Sequence, residues 1–152
     1  MNIINLKKEP YNIEQLAEWH HNEWSYLNPD GSIKERIEKM KMYLEPDFVP
    51  STFIGKDNDE LIGSVAIVKF DMDTHKELSP WLASVYVSSN HRKHGYGGLL
   101  VRHVMQKAKD EGIRKLYLFT PSDEDFYTKL GWSKKCEENY RGATVTIMEV
   151  NL

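Results

Sequence analysis

Cysteine is nearly absent from this chain: 152 residues include one, Cys136. That excludes an internal disulfide and any multi-cysteine metal centre, and it fits a reducing compartment. Cys136 itself reads as a strand residue, because no neighbouring motif supplies a base to activate a thiol. No run approaches the roughly 18 apolar residues of a membrane span, and the opening MNIINLKKEP lacks the apolar region of a signal peptide. A cytoplasmic protein with no membrane segment is expected. An excess of one charge is missing too. Lys and Arg number 20 against 23 Asp and Glu, a net charge of −3, which argues against nucleic-acid binding by bulk electrostatics. No repeat, low-complexity tract or linker divides the sequence, so one domain over 1–152 is expected.

What is present is concentrated between Trp81 and Val101, WLASVYVSSNHRKHGYGGLLV, where an apolar strand feeds a basic, glycine-dense turn that opens into a helix. Gly95, Gly97 and Gly98 let the backbone take positive φ and approach a ligand closely, and the first amides of the following helix are unsatisfied at its positive dipole end. A diphosphate fits there. Arg92, Lys93 and protonated His94 add positive charge, with Arg able to bind two phosphate oxygens at once. Two competing nucleotide motifs fail. A Walker loop needs Lys and Ser or Thr after its last glycine, whereas Leu99 and Leu100 follow Gly98. The dinucleotide fingerprint needs a third glycine at position 100, an early βαβ unit and an acidic residue about 20 positions later.

Periodicity places the other elements. A strand is expected over Ile3–Lys7, then a helix from Asn12, with Asn12 as its cap and Ile13, Leu16 and Ala17 as its buried stripe. Ser32 and Glu35 form a capping-box pattern for a second helix, which must stop before Pro46. Runs at 52–55 and 61–70 read as strands joined by a polar hairpin loop over 56–60, and Pro80 marks the entry to a strand over 81–87. After the glycine turn, Leu100, Val101, Val104, Met105 and Ala108 recur at helical spacing up to Gly112. A strand over 116–119, a short helix over 123–129 and a closing hairpin about Tyr140-Arg141-Gly142-Ala143 complete a mixed α/β (α+β) chain.

The spacing Arg92-x-x-Gly95-x-Gly97 after a Val-Tyr-Val strand end resembles the pyrophosphate loop of the GNAT (acetyl-CoA-dependent N-acetyltransferase) superfamily. Further along, LYLFTPSDEDFYTKLGW (Leu116 to Trp132) resembles that family's next strand and helix, ending in its Phe126-Tyr127-x-x-Leu130-Gly131-aromatic signature. The resemblance is clearest from Trp81 to Val150. It implies a central, mostly antiparallel, splayed sheet of about six or seven strands flanked by about four helices. It also implies acetyl-CoA as co-substrate, no metal, and direct transfer of an acetyl group to a primary amine of a small molecule or peptide.

Residue roles follow from that resemblance. Tyr127 matches the family tyrosine that faces the thioester sulfur, and a phenol protonated at pH 7 can donate to a departing thiolate. Val85, Tyr86 and Val87 would hold the pantetheine arm through their backbone, with the amide of Val85 or Tyr86 as oxyanion donor. Arg92, Lys93, His94, Gly95, Tyr96, Gly97 and Gly98 would form the phosphate loop, and Phe126 would add a contact. Thr120 stands where many relatives carry an asparagine on the pantetheine arm; the alternative is a simple strand-end threonine. The general base is not singled out, because Ala83-Ser84-Val85 offers only a hydroxyl where relatives place a carboxylate. Candidates elsewhere are His20, His21, Glu23, Asp73 and His75. Trp24, Tyr26 and Trp81 form either an aromatic substrate wall or core. The absent carboxylate keeps a second reading open, a coenzyme-binding regulatory module with little turnover. The acceptor's identity and the oligomeric state, a homodimer included, are not set by the sequence.

Overall fold

The strands, of which Ser51–Asp57 and Glu60–Val68 are buried on both faces and Lys115–Thr120 alternates, assemble into one seven-stranded sheet of order β1-β2-β3-β4-β5-β7-β6 in a computed structural model that describes residues 1–152. The strands are β1 Asn2–Asn5, β2 Ser51–Asp57, β3 Glu60–Val68, β4 Trp81–Val87, β5 Lys115–Thr120, β6 Ser133–Tyr140 and β7 Ala143–Asn151. Four α-helices accompany them: α1 Ile13–Trp24, α2 Ile33–Met42, α3 Tyr96–Asp110 and α4 Glu124–Lys129. Neighbouring strands pair antiparallel except β4 and β5, which run parallel with α3 as their crossover. No helix is long and apolar enough to cross a membrane.

Each face of the sheet buries a different set. On one face Val65, Leu82 and Leu118 meet Leu100, Val101 and Val104 of α3, the stripe expected from helical spacing. On the other, Ala66, Trp81, Ala83 and Ile147 lie with Met72, Leu78 and Tyr140, while Leu16, Ala17 and Met40 of α1 and α2 cover Ile54. The β6–β7 turn places Arg141 at φ 50° and Gly142 at φ 85°. Two successive left-handed residues suit the twist of a tight hairpin.

Several boundaries differ from expectation for local reasons. The first strand ends at Asn5, whose side-chain oxygen accepts from the Lys7 amide at 2.9 Å and starts a single 3-10 turn. Asn12 does not cap α1; its side chain donates to the Glu9 carbonyl at 3.1 Å, because another 3-10 turn, Pro10–Asn12, leads straight into the helix. The β2–β3 hairpin is tighter than a five-residue loop, since the strands continue to Asp57 and from Glu60. Ser32 does cap α2, accepting from the Glu35 amide at 3.1 Å, and the helix stops at Met42, short of Pro46.

One irregularity positions the site. β4 and β5 share register only at Trp81 and Tyr117, and beyond that pair they splay. On its other side β4 carries a bulge: Ser64 faces Tyr86 and Ala66 faces Ala83, so Ser84 and Val85 together oppose Val65. Ser84 takes a left-handed φ of 53° there, strain that a non-glycine residue keeps only when its surroundings hold it.

Candidate active site between the splayed strands

The splay leaves β4 with an unpaired edge. Its backbone groups facing β5 beyond Trp81 have no strand partner, so amides and carbonyls of the 83–87 segment point into a wedge. A cavity of about 200 Å³ opens in that wedge, with Ser84 and Val85 on one wall, Phe119 and Thr120 on the other, and Tyr127 beside them. Trp24, Asn28 and Arg36 bound it from the α1–α2 side, and Tyr140 and Arg141 from the β6–β7 turn.

Behind the bulge lies a buried polar network. His20 is 1% exposed. Arg36 can only donate, so its guanidinium nitrogen 3.3 Å away makes His20 Nδ1 the acceptor. Nε2 therefore carries the proton and donates to Ser64 Oγ at 2.8 Å. Ser64 Oγ in turn donates to the Ser84 carbonyl at 3.0 Å, and Arg36 donates to Ser84 Oγ at 3.2 Å. Burial, and then the neighbouring guanidinium, hold His20 well below its ordinary pKa. His20 is thus neutral with both nitrogens engaged, and it braces the strained Ser84 rather than serving as a base.

The glycine turn closes one end of the wedge. Gly95 takes φ 80° as the residue before α3, and no side chain caps the helix. The amides of Tyr96, Gly97 and Gly98 are consequently free of intrahelical partners. Gly97 sits close beneath Phe126: a Cβ built on it would stand 3.3 Å from Phe126 Cζ and 3.7 Å from Val87 Cγ2. Arg92 donates its Nε to the Val87 carbonyl at 3.0 Å and lies 5.5 Å from the centre of the Tyr86 ring. Its other nitrogens remain outward, 4.0 Å from Glu23 at the nearest. Lys93, at φ 66°, and His94 are exposed beside them.

Among the titratable groups that line the cavity, Tyr127 and Asp71 are shifted by burial in ways that bear on proton transfer. Tyr127 is 8% exposed. Its ring packs against Phe126 and Trp132, and its hydroxyl makes no hydrogen bond within the protein. Burial, with Asp123 and Asp71 adding negative charge, pushes the phenol above its ordinary pKa, so it stays protonated. Asp71, just beyond β3, is pushed up to about 6 by burial, against the pull of Lys39 and Arg36. Thr120 Oγ1 accepts from the amides of Asp123 at 3.0 Å and Ser122 at 3.4 Å, which fixes the turn into α4 and leaves only its hydroxyl proton for a ligand.

The sequence profile described as "Acetyltransferase (GNAT) family" matches residues 13–132. The chain belongs to the GNAT acetyltransferase family. Among curated proteins, N-acetyltransferase 8 of Homo sapiens is 28% identical over 86 residues, which cover 54% of this chain and 38% of that protein. The matched part thus spans well under half of that relative. Among solved structures, an aminoglycoside 6'-N-acetyltransferase complexed with coenzyme A superposes with TM-score 0.78 at 18% identity, covering 99% of this chain and 97% of that one. The ribosomal-protein-alanine N-acetyltransferase of Brucella melitensis superposes with TM-score 0.76 at 15% identity, over 100% of both chains. At these identities the likeness is one of fold.

In this GNAT chain the residues anticipated from sequence fall into three groups. Val85, Thr120 and Tyr127 line the wedge; Gly95 to Gly98, Arg92 and Phe126 gather at the α3 end; Tyr86 turns its ring onto Trp19 at 5.3 Å between centroids, leaving only its backbone for the wedge. The proposed aromatic wall divides: Trp24 lines the cavity, Tyr26 is exposed, and Trp81 is core at 1% exposure. Of the base candidates, Asp73 is tied to Arg141 and His75 to Glu138, and neither lines the cavity. Sequence reasoning missed Asp71 and Arg36. Asp71 lies in the polar stretch from which only Asp73 and His75 stood out as base candidates, and Arg36 lies on a helix read for its cap and stop.

Proposed function

We propose that the chain is an acetyl-CoA-dependent N-acetyltransferase that moves an acetyl group directly to a primary amine, with residues 1–152 as one transferase domain. The observation carrying this reading is the unpaired β4 edge at the bulge, facing the free hydroxyl of Tyr127 and ending at the uncapped amides of α3. A pantetheine arm can complete the β4 ladder as a missing strand would. The α3 amides, Arg92 and Lys93 suit a diphosphate.

Each step then has a group. A neutral amine attacks the thioester carbon, forming C–N, and the oxyanion takes a hydrogen bond from an amide of the 84–86 segment, held in place by the Arg36–His20–Ser64 network. The amine's surplus proton passes to Asp71. As C–S breaks, the sulfur accepts a hydrogen bond from Tyr127. A phenol with a raised pKa is a weaker acid than a thiol near 8.5, so Tyr127 stabilises the thiolate by hydrogen bonding and partial transfer, and solvent completes its protonation. The regulatory-module alternative drew on a missing carboxylate. Asp71 in the cavity wall removes that ground.

The test is release of free thiol from acetyl-CoA across an amine panel, with acetyl-CoA binding followed by calorimetry. Tyr127→Phe is expected to lower kcat roughly tenfold or more, with coenzyme affinity nearly unchanged. Unchanged kcat removes Tyr127 from the chemistry, and absence of coenzyme binding in the unsubstituted protein overturns the reading.

A further inference from the structure

Resting on the acetyltransferase reading, we infer that the acceptor is a small zwitterion of the amino-acid type, whose anionic oxygens are held by Arg36 and Lys39 while its amine is presented at the β4 bulge. The neighbours' names point to an aminoglycoside and a ribosomal protein; the charges of this cavity suit neither.

Arg36 carries the argument. Its guanidinium is partly buried, enough for burial to pull it below its usual pKa, yet it forms no salt bridge. Its side-chain hydrogen bonds go to two neutral acceptors, His20 Nδ1 and Ser84 Oγ, both from one terminal nitrogen; the Trp24 ring lies at 5.9 Å, and Asp71 acts on it from beyond salt-bridge distance. A guanidinium has five donors, so the second terminal nitrogen and Nε are left without a partner at the cavity wall. With Asp71 acting only at a distance and no carboxylate in contact, the desolvation of the guanidinium is incompletely offset. An arriving carboxylate would relieve that, in the two-pronged geometry that Arg favours.

Position and neighbours narrow the class. Because Arg36 is 3.2 Å from Ser84 Oγ, an anion on it lies within a few bonds of the bulge where the amine must attack. Lys39, one helical turn along α2, lines the same cavity and forms no ion pair. The cavity wall bears three cationic side chains, Arg36, Lys39 and Arg141, and two carboxylates, Asp71 and Asp123. Arg141 is paired with Asp73, so Arg36 and Lys39 are the cations without a contacting carboxylate; one carboxylate is enough for one amine, and a polycation would set its further charges against those two. A volume of about 200 Å³ accommodates a molecule of amino-acid size.

The experiment measures thiol release by the 152-residue chain with α-amino acids, their carboxamides, spermidine, an aminoglycoside and short peptides with acidic N-termini. The carboxamide's amine deprotonates more readily, so that comparison is biased against the inference. At least one amino acid is expected to exceed its carboxamide in kcat/KM by about tenfold or more, and Lys39→Glu to shrink that ratio severalfold while acetyl-CoA still binds. Arg36→Gln should shrink it further and Arg36→Lys restore part. Since Arg36 also braces Ser84, the exposed Lys39 separates charge recognition from folding. Preference for carboxamides, polycations or acidic peptides overturns the inference alone, as does coenzyme binding with no amino acid acetylated, or a ratio unmoved by Lys39→Glu. Loss of coenzyme binding in the unsubstituted protein overturns the acetyltransferase reading and the inference with it.

Discussion

The two sides of the wedge are built by different means. The proposed coenzyme side is backbone: the open β4 edge, the left-handed Gly95 and the first amides of α3 all come from one stretch, 81–98. The proposed acceptor side is side chains drawn from segments far apart in the chain: His20 on α1, Arg36 and Lys39 on α2, Asp71 after β3 and Arg141 in the last hairpin. A backbone site needs particular residues at fixed spacing, because only some residues permit the conformation. A side-chain site needs only that its members meet after folding, so each member can sit in an ordinary local context. The first kind changes little when the acceptor changes, and the second sets which acceptor is used.

The most damaging way to break this contrast is at Gly97. Valine there would put a Cβ 3.3 Å from Phe126 Cζ and its methyl groups closer still, shifting the α3 amides or Phe126. Losing two charge-assisted hydrogen bonds to phosphate, each worth about 1.5–3 kcal/mol, predicts roughly a 1,000-fold fall in acetyl-CoA affinity by calorimetry. Gly97→Val with normal affinity would show that the phosphates are not held by backbone, and the contrast would fail at its stronger end.

The same contrast explains what the sequence revealed. The strand over 81–87 was legible to the residue, because Pro80 and the polar run after Val87 bound an apolar segment. The α3 stripe was equally clear, since Leu100, Val101, Val104 and Ala108 repeat at helical spacing and all reach the core. The bulge at Ser84 was not, because serine gives no local sign of a left-handed conformation that His20, Ser64 and Arg36 impose from elsewhere. Asp71 was not singled out as the base for a related reason. In a polar loop one carboxylate reads like another, and only the packing of α2 over the sheet distinguishes Asp71, desolvated beside Arg36 and Lys39, from Asp73, tied to Arg141 at the surface. Asn12 failed in the opposite direction: its sequence context suited a cap, but a preceding 3-10 turn occupied its side chain.

On the acceptor side the next effect in size belongs to Asp71. Asp71→Asn removes the proposed proton acceptor and is expected to lower kcat/KM roughly 100-fold with coenzyme binding intact, within the usual range for a general base. The pH dependence gives a sharper readout. Asp71 acts as a base only when ionised, so turnover should fall as pH drops through about 6, and the variant should lack that limb. Stability should move the other way. Folding favours protonated Asp71, so its contribution is greatest below the ordinary carboxylate range and is lost as pH rises through about 6. Asparagine should therefore raise the melting temperature at pH 7.5 by a few degrees, consistent with about 1–2 kcal/mol. A variant both slower and more stable marks a carboxylate kept for function; one that is slower and less stable would mean Asp71 is a structural member of the fold.

The smallest effect concerns the loop over 71–79 that carries Asp71 to the cavity. It is clasped to the last hairpin: Asp73 pairs with Arg141, its amide donates to Tyr140 Oη at 3.1 Å, and His75 bonds Glu138, which also accepts from Thr74 Oγ1 at 3.3 Å. The Glu138 carboxylate raises His75 above its ordinary pKa, with desolvation opposing and Glu77 assisting. A raised value means the protonated form is favoured by folding. The clasp therefore contributes fully below the ordinary histidine range near 6.5 and fades as pH rises through the higher folded value. Because the pair is partly exposed, its contribution is limited to about 0.2–1 kcal/mol. His75→Ala should accordingly barely change the melting temperature, but it should speed amide exchange over 72–79 at pH 6, a difference that closes at higher pH. Exchange unchanged at pH 6 would assign the loop's position to Arg141 and Tyr140 alone. A faster loop with a raised acceptor KM and unaltered coenzyme affinity would show that the side-chain wall, unlike the backbone one, can be loosened piece by piece.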